Sequence, residues 1–206
     1  KASPPGLKKV VFIHYKKGFA RPPWAGGGEK ETACYDFIAK SKPKWQWTED
    51  YYYSEGAGLD ASFVASVLAE STETWDSQVA FDVFGSGHYG YYEWGTYDGY
   101  NSISFGDYPE EGVIAVTAVW YLGKTIYEYD ILFDTDYVWG DASVDPSVMD
   151  LQNIATHELG HAAGLGDLYD VVCSEETMYG FSDYGEVKKR TLEDGDIAGI
   201  QKLYGS

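Results

Sequence analysis

Histidine, cysteine and methionine are scarce in this chain: four, two and two residues out of 206. No apolar run approaches the roughly 18 residues that a membrane-crossing helix needs. No charged start followed by an apolar stretch marks an export leader, so the expectation is either a cytosolic protein or a processed or recombinant form lacking its leader. Basic residues are also few. Fifteen Lys and Arg face 33 Asp and Glu, a formal charge of −18. That balance argues against nucleic acid and against anionic membrane surfaces as partners. Two cysteines are too few for a small disulfide framework. One bond between Cys34 and Cys173 in an extracellular protein is the first reading, and two inert buried thiols are the alternative.

The charge is unevenly placed. Residues 1–48 hold ten Lys/Arg against three Asp/Glu, and residues 49–206 hold five against thirty. Between Thr125 and Val187 no basic residue offsets fourteen acids. These acids are either a solvated face or, in part, calcium ligands. Length and a 44% apolar content suit one domain with a sizeable core, expected as a monomer.

Local patterns divide the chain into elements. Val10 to Ile13 reads as a short strand, Arg21 to Gly28 as a loop, and Trp45 to Tyr53 as an aromatic segment ending in a strand. A helix is expected over Leu59–Asp76, with Asp60 as N-cap and Val64, Val67, Leu68, Ser71 and Trp75 on its core face. Val79 to Phe84 alternates as a strand, and Gly85 to Gly112 reads as a long irregular loop. Val113–Tyr121 and Ile126–Phe133 are β segments joined tightly at Gly123. A helix starting at Asp145 or, better, near Asp150 stops at Gly164. Thr191 is read as the opening of a last helix with an apolar stripe of Leu192, Ile197, Ile200 and Leu203, closed by Gly205.

The helix ending at Gly164 carries the chemistry. His157 and His161 are four residues apart, so both imidazoles leave one helix face about a turn apart. That spacing lets both reach one zinc ion. Glu158, one step round the helix, is placed for a general base rather than for a third ligand. Gly164 permits a sharp exit from the helix. Asp167, six residues beyond His161, is then able to return as the third ligand and leave a fourth position open, as catalytic zinc requires.

The run from His157 through Glu158, His161 and Gly164 to Asp167 resembles the extended zinc motif of the metzincin metallopeptidases. In that family a methionine underlies the zinc-binding histidines without ligating, and Met178, in Glu176-Thr177-Met178-Tyr179, is the match. Within metzincins the closest likeness is to matrixins. Ile114 to Ala118 and Tyr129 to Asp134 resemble their fourth and fifth strands, and Asp194 to Gly205 their C-terminal helix. The resemblance runs from about Trp47 to Ser206. It implies an α+β fold: a twisted, mostly parallel sheet with helices, and an irregular lower part from 165 to 206 with a C-terminal helix. On this reading 47–206 is the catalytic domain and 1–46 a basic N-terminal extension.

Three departures have consequences. Asp167 stands where matrixins have histidine; an anionic oxygen makes the water beside the metal less acidic and leaves more of its deprotonation to Glu158. The histidines of a second, structural zinc have no counterpart, since Val116 and Leu132 stand nearest, so one zinc is expected. Gly195 replaces the first of two adjacent acids before the last helix, and Asp196 keeps the second. Asp134 and Asp136 match a calcium-binding stretch only in part, because Tyr137 replaces its glutamate. His14 and His88 have no ligand spacing and read as ordinary polar residues.

The resemblance implies a zinc endopeptidase acting on peptides or proteins. The strand Val113 to Trp120 would offer a free edge to an extended substrate. Alternatives are a downstream glutamate (Glu175, Glu176 or Glu186) as third ligand, or a catalytically silent secreted zinc domain. The N-terminal segment is read as an integral extension tied by Cys34–Cys173, or else as a residual pro-segment whose Cys34 reaches the zinc.

Overall fold

The computed structural model describes residues 3–19 and 33–206. The loop expected over Arg21–Gly28 lies outside the described residues. In chain order the elements are β1 (Lys8–Lys16), β2 (Glu49–Tyr53), α1 (Ala61–Asp76), β3 (Phe84–Tyr89), β4 (Ser102–Gly106), β5 (Val113–Leu122), β6 (Thr125–Asp134), β7 (Trp139–Gly140), β8 (Met149–Asp150), α2 (Leu151–Ala163), β9 (Phe181–Ser182) and α3 (Asp194–Tyr204).

Among the described residues the main sheet has seven strands in the order β3-β2-β4-β6-β5-β1-β9. Pairing is parallel from β3 to β6 and between β1 and β9, and antiparallel at β6–β5 and β5–β1. This is the α+β architecture with a mostly parallel sheet that the sequence implied. Helices α1 and α2 pack together, and the core lies between them and the sheet. The buried face of α1 is the expected one: Val64, Val67, Leu68, Ser71 and Trp75, with Thr72. Two tryptophans grip α2. Trp45 Nε1 donates to the Ala162 carbonyl at 2.9 Å and Trp75 Nε1 to that of Thr156 at 2.8 Å, so each large ring is buried without losing its polar contact.

Several boundaries differ from expectation. β3 begins at Phe84, because the Asp76 carboxylate accepts from the Val83 and Phe84 N–H groups and turns the chain before it. The expected long loop contains most of β3 and all of β4. Their signals are weak because Ser102 and Ser104 are polar yet buried, with Ser102 Oγ donating to Asp130 at 2.7 Å. α3 is capped by Glu193, not Thr191; the Glu193 side chain and Asp196 close a capping box. Thr191 instead offers its carbonyl to Thr177 Oγ1.

The largest difference concerns β1. It is nine residues long, and eight of them, Lys8 to Tyr15, pair with Tyr121 to Val113 of β5. The edge of β5 is therefore covered by the chain itself, not open as expected. The extension is also fixed further on. Phe37 bridges Leu165, the Gly166 N–H donates to the Asp36 carbonyl at 2.9 Å, and the Ile38 N–H donates to that of Gly164 at 3.0 Å. Cys34 is bonded to Cys173, closing a loop of sequence separation 139. A free Cys34 reaching the metal site is thereby ruled out.

Candidate metal centre

α2 is positioned at both ends. The Asp150 side chain accepts from the Asn153 N–H at 2.7 Å as N-cap, and Arg190 Nε donates to the same carboxylate at 2.9 Å. Gly164 ends the helix at φ 115°, a left-handed conformation that a side chain would resist. A Cβ there would also lie 2.7 Å from the Pro43 carbonyl. The turn brings Asp167 back under the helix, as the spacing predicted.

Three donor atoms converge. His157 Nε2 and His161 Nε2 are 3.1 Å apart, and Asp167 Oδ1 lies 3.1 and 3.2 Å from them. His157 Nδ1 donates to the Thr177 carbonyl at 2.7 Å and His161 Nδ1 to that of Leu165 at 2.8 Å. In the neutral form each ring, with its proton on Nδ1, turns an unprotonated Nε2 inward. Two nitrogen lone pairs and a carboxylate oxygen would then face one another with no proton between them. All three side chains are buried, so this arrangement calls for a cation. Donors held about 2.0–2.1 Å from a tetrahedral zinc lie about 3.3 Å apart, close to the observed edges. The donor set of two imidazoles and a carboxylate suits zinc.

The backbone carbonyls that fix the two rings are themselves held. Thr177 N–H donates to Asp196 Oδ2 at 2.7 Å and Met178 N–H to Asp196 Oδ1 at 3.1 Å, so α3 anchors the turn carrying Met178. Met178 lies beneath α2 against Gly160, where a Cβ would overlap its sulfur.

Glu158 is fully buried beside this triangle. Its Oε2 accepts from the Thr117 hydroxyl of β5, and its Oε1 has no hydrogen-bond partner among the described residues. Burial pushes the carboxyl up to about 7. Burial also lowers His157, to about 4. For Asp167 burial opposes the charge, but the two histidines outweigh it and its pKa is lowered.

His14 belongs to this site, although its sequence context showed nothing of the kind. Its ring sits edge-on to His157 at 4.0 Å, its Nε2 is 2.9 Å from Ser182 Oγ, and its Nδ1 is 3.6 Å from Glu158 Oε1 without a hydrogen-bond partner. Phe12, two residues earlier, stacks on His161 at 4.1 Å and 10°. Alternation along a strand puts residues 12 and 14 on one face, but only the β1–β5 register brings that face to α2. His88 pairs with Asp50 at an exposed position. The three alternative glutamates are placed elsewhere: Glu175 with Lys188, Glu176 with Asp196, and Glu186 with Lys17 and Lys189. Asp134, at the end of β6, gathers with Asp136 and with Asp107 from the loop after β4, within 4.8 Å of one another.

Residues 99–205 match the family model described as Matrixin. The chain belongs to the matrixins. It is 30% identical over 184 residues to matrilysin of Homo sapiens, covering 86% of this chain and 64% of that protein. It is 31% identical over 188 residues to metalloendoproteinase 1 of Glycine max, covering 83% of this chain and 55% of that protein. A shorter stretch of 76 residues is 38% identical to matrix metalloproteinase-16 of Rattus norvegicus. The chain thus spans between about half and two thirds of the length of the first two relatives. Matrixin peptidases use zinc.

Proposed function

We propose that this matrixin is a zinc-dependent endopeptidase in which His157, His161 and Asp167 hold the metal and Glu158 moves the proton. The observation that carries this is the triangle of three buried donor atoms beside a buried carboxylate. Zinc, when bound, supplies the Lewis acid that polarises a scissile carbonyl and makes water more acidic. The chain's own groups do the rest. Glu158 Oε1 takes a proton from the attacking water and returns it to the departing amine nitrogen. The Thr117 hydroxyl holds Oε2, so that Oε1 is the oxygen left to act. A carboxyl raised to about 7 both accepts and releases a proton near neutral pH. The Asp196-anchored turn positions the His157 ring through the Thr177 carbonyl.

The Cys34–Cys173 bond fits an oxidising, extracellular setting. The test is cleavage of an unfolded protein such as casein. Cleavage should stop with a zinc chelator and return with added zinc, and chelator-insensitive cleavage would contradict the proposal.

A further inference from the structure

A second acid lies against the carboxylate that holds the Met178 turn. Asp196 is buried, and its two oxygens accept three backbone N–H groups. Thr177 and Glu193 donate to Oδ2 at 2.7 and 3.0 Å, and Met178 donates to Oδ1 at 3.1 Å. Glu176, half-buried, accepts from the Asp196 N–H at 3.0 Å. The two carboxyl groups are also hydrogen-bonded to each other. Two ionised carboxylates have no proton to share, so one of the pair carries one. The three N–H groups favour the charged form of Asp196. The proton therefore belongs on Glu176.

We propose that Glu176 in its protonated form is a positioning residue for the metal centre. It donates to Asp196, and Asp196 holds the turn whose Thr177 carbonyl orients His157. Loss of the proton sets two like charges against each other and loosens that turn. This role rests on the metal-site reading above for its purpose, though not for its geometry.

Three observations support it. The turn is joined to the site by one contact, from His157 Nδ1 to the Thr177 carbonyl at 2.7 Å. No basic group offsets the pair, since neither acid forms an ion pair among the described residues. The charged groups around it are Glu193 at the start of α3, and Glu175, which is paired with Lys188 at 2.9 Å. Lys189 turns its ammonium away, to Glu186 and the Phe181 carbonyl, and Cys34 on the packed N-terminal segment is held in its disulfide. Burial raises both carboxyls, Glu176 to about 7, so the shared proton persists into the neutral range. Gly195 admits the second acid. A Cβ there would lie 2.8 Å from Glu176 Cδ and would overlap the Cys34 carbonyl. The glycine that replaces an acid at 195 thus goes with a new acid at 176.

A carboxyl raised in the folded state stabilises it fully below the unfolded value, near 4.3, and that contribution is lost as pH rises through about 7. The test follows hydrogen exchange of the Thr177 and Met178 amides in the metal-free full chain, with β5 amides as the internal reference. Between about pH 6 and pH 8.5, protection of the two amides in the parent should fall about tenfold or more relative to the reference. Glu176→Gln keeps a donor at every pH and should hold protection within about threefold over that range. Glu176→Ala offers no donor and should lose about tenfold already near pH 6. Zinc affinity, read by competition with a chelator, should match between parent and Glu176→Gln near pH 6 and favour the variant about tenfold near pH 8.5. A parent turn equally protected at both pH values would overturn the proposal. So would a parallel loss in Glu176→Gln, full protection in Glu176→Ala, or equal zinc affinities at the higher pH. A parent that binds no zinc at either pH would instead refute the metal-site reading, and with it the purpose given to Glu176, while the exchange pattern still decides whether the proton holds the turn.

Discussion

The Thr177 carbonyl accepts the Nδ1 proton of His157 at 2.7 Å, and the Thr177 N–H is itself held by Asp196 at 2.7 Å. One carboxylate on α3 therefore sets the orientation of a proposed metal ligand on α2 through a single peptide unit. Asp196→Asn keeps the size of the side chain but weakens both backbone contacts. It should lower zinc affinity by about 10–100-fold, measured by competition with a chelator. Unchanged affinity would show that the turn holds without it.

Gly160 faces Met178 and Trp75, and a Cβ there would lie 2.8 Å from the Trp75 ring and overlap the Met178 sulfur. Both neighbours are buried. Gly160→Ala should therefore cost about 1–3 kcal/mol through overpacking, despite the better helix propensity of alanine. Denaturant unfolding reads this directly, and a stabilised variant would contradict the packing described.

Burial alone would raise Glu186, but Lys189 and Lys17 outweigh it and hold its pKa at about 2. A carboxylate depressed in the folded state stabilises above its unfolded pKa, near 4.3, and that stability is lost as pH falls towards 2. The stability gap between the parent and Glu186→Gln should be full above about pH 5 and close between there and pH 2. A gap independent of pH would show that the ion pairs contribute nothing.

The Cys34–Cys173 bond closes a long loop and ties the segment beside Gly166 to the stretch that follows Asp167. Replacing both cysteines by serine should cost about 2–5 kcal/mol, read from the unfolding midpoint. A loss below that range would mean that the Phe37–Leu165 bridge and its hydrogen bonds suffice.

Asp107, Asp134 and Asp136 gather at the end of β6. As proposed calcium ligands they should raise the melting temperature when millimolar calcium is added to metal-stripped protein. An unchanged melting temperature would leave them as a solvated acidic group.

The legible parts of the sequence were those set by local period and turn chemistry. His157, Glu158 and His161 follow from helical spacing, Asp167 from the Gly164 turn, and the α1 face from its apolar stripe. His14 was not legible, because nothing near it in sequence signals metal chemistry. Its role arises from a strand register set against Val113–Tyr121, about a hundred positions away. Phe12 and Thr117 enter the site by the same register. The pairing edge of β5 was foreseen but not its occupant, since periodicity gives a strand a face and not a partner. β4 was hidden because Ser102 and Ser104 are polar yet buried, and Ser102 is satisfied by Asp130 rather than by apolar packing.

The central claim is that Glu158 handles the proton beside a bound zinc, and Glu158→Gln tests it most directly. The parent and the variant, each shown to hold one zinc, are compared for chelator-sensitive cleavage of casein over a long incubation. The account predicts that the variant keeps its zinc and loses cleavage by about two to four orders of magnitude relative to the parent. Cleavage by Glu158→Gln at the parental rate would contradict it.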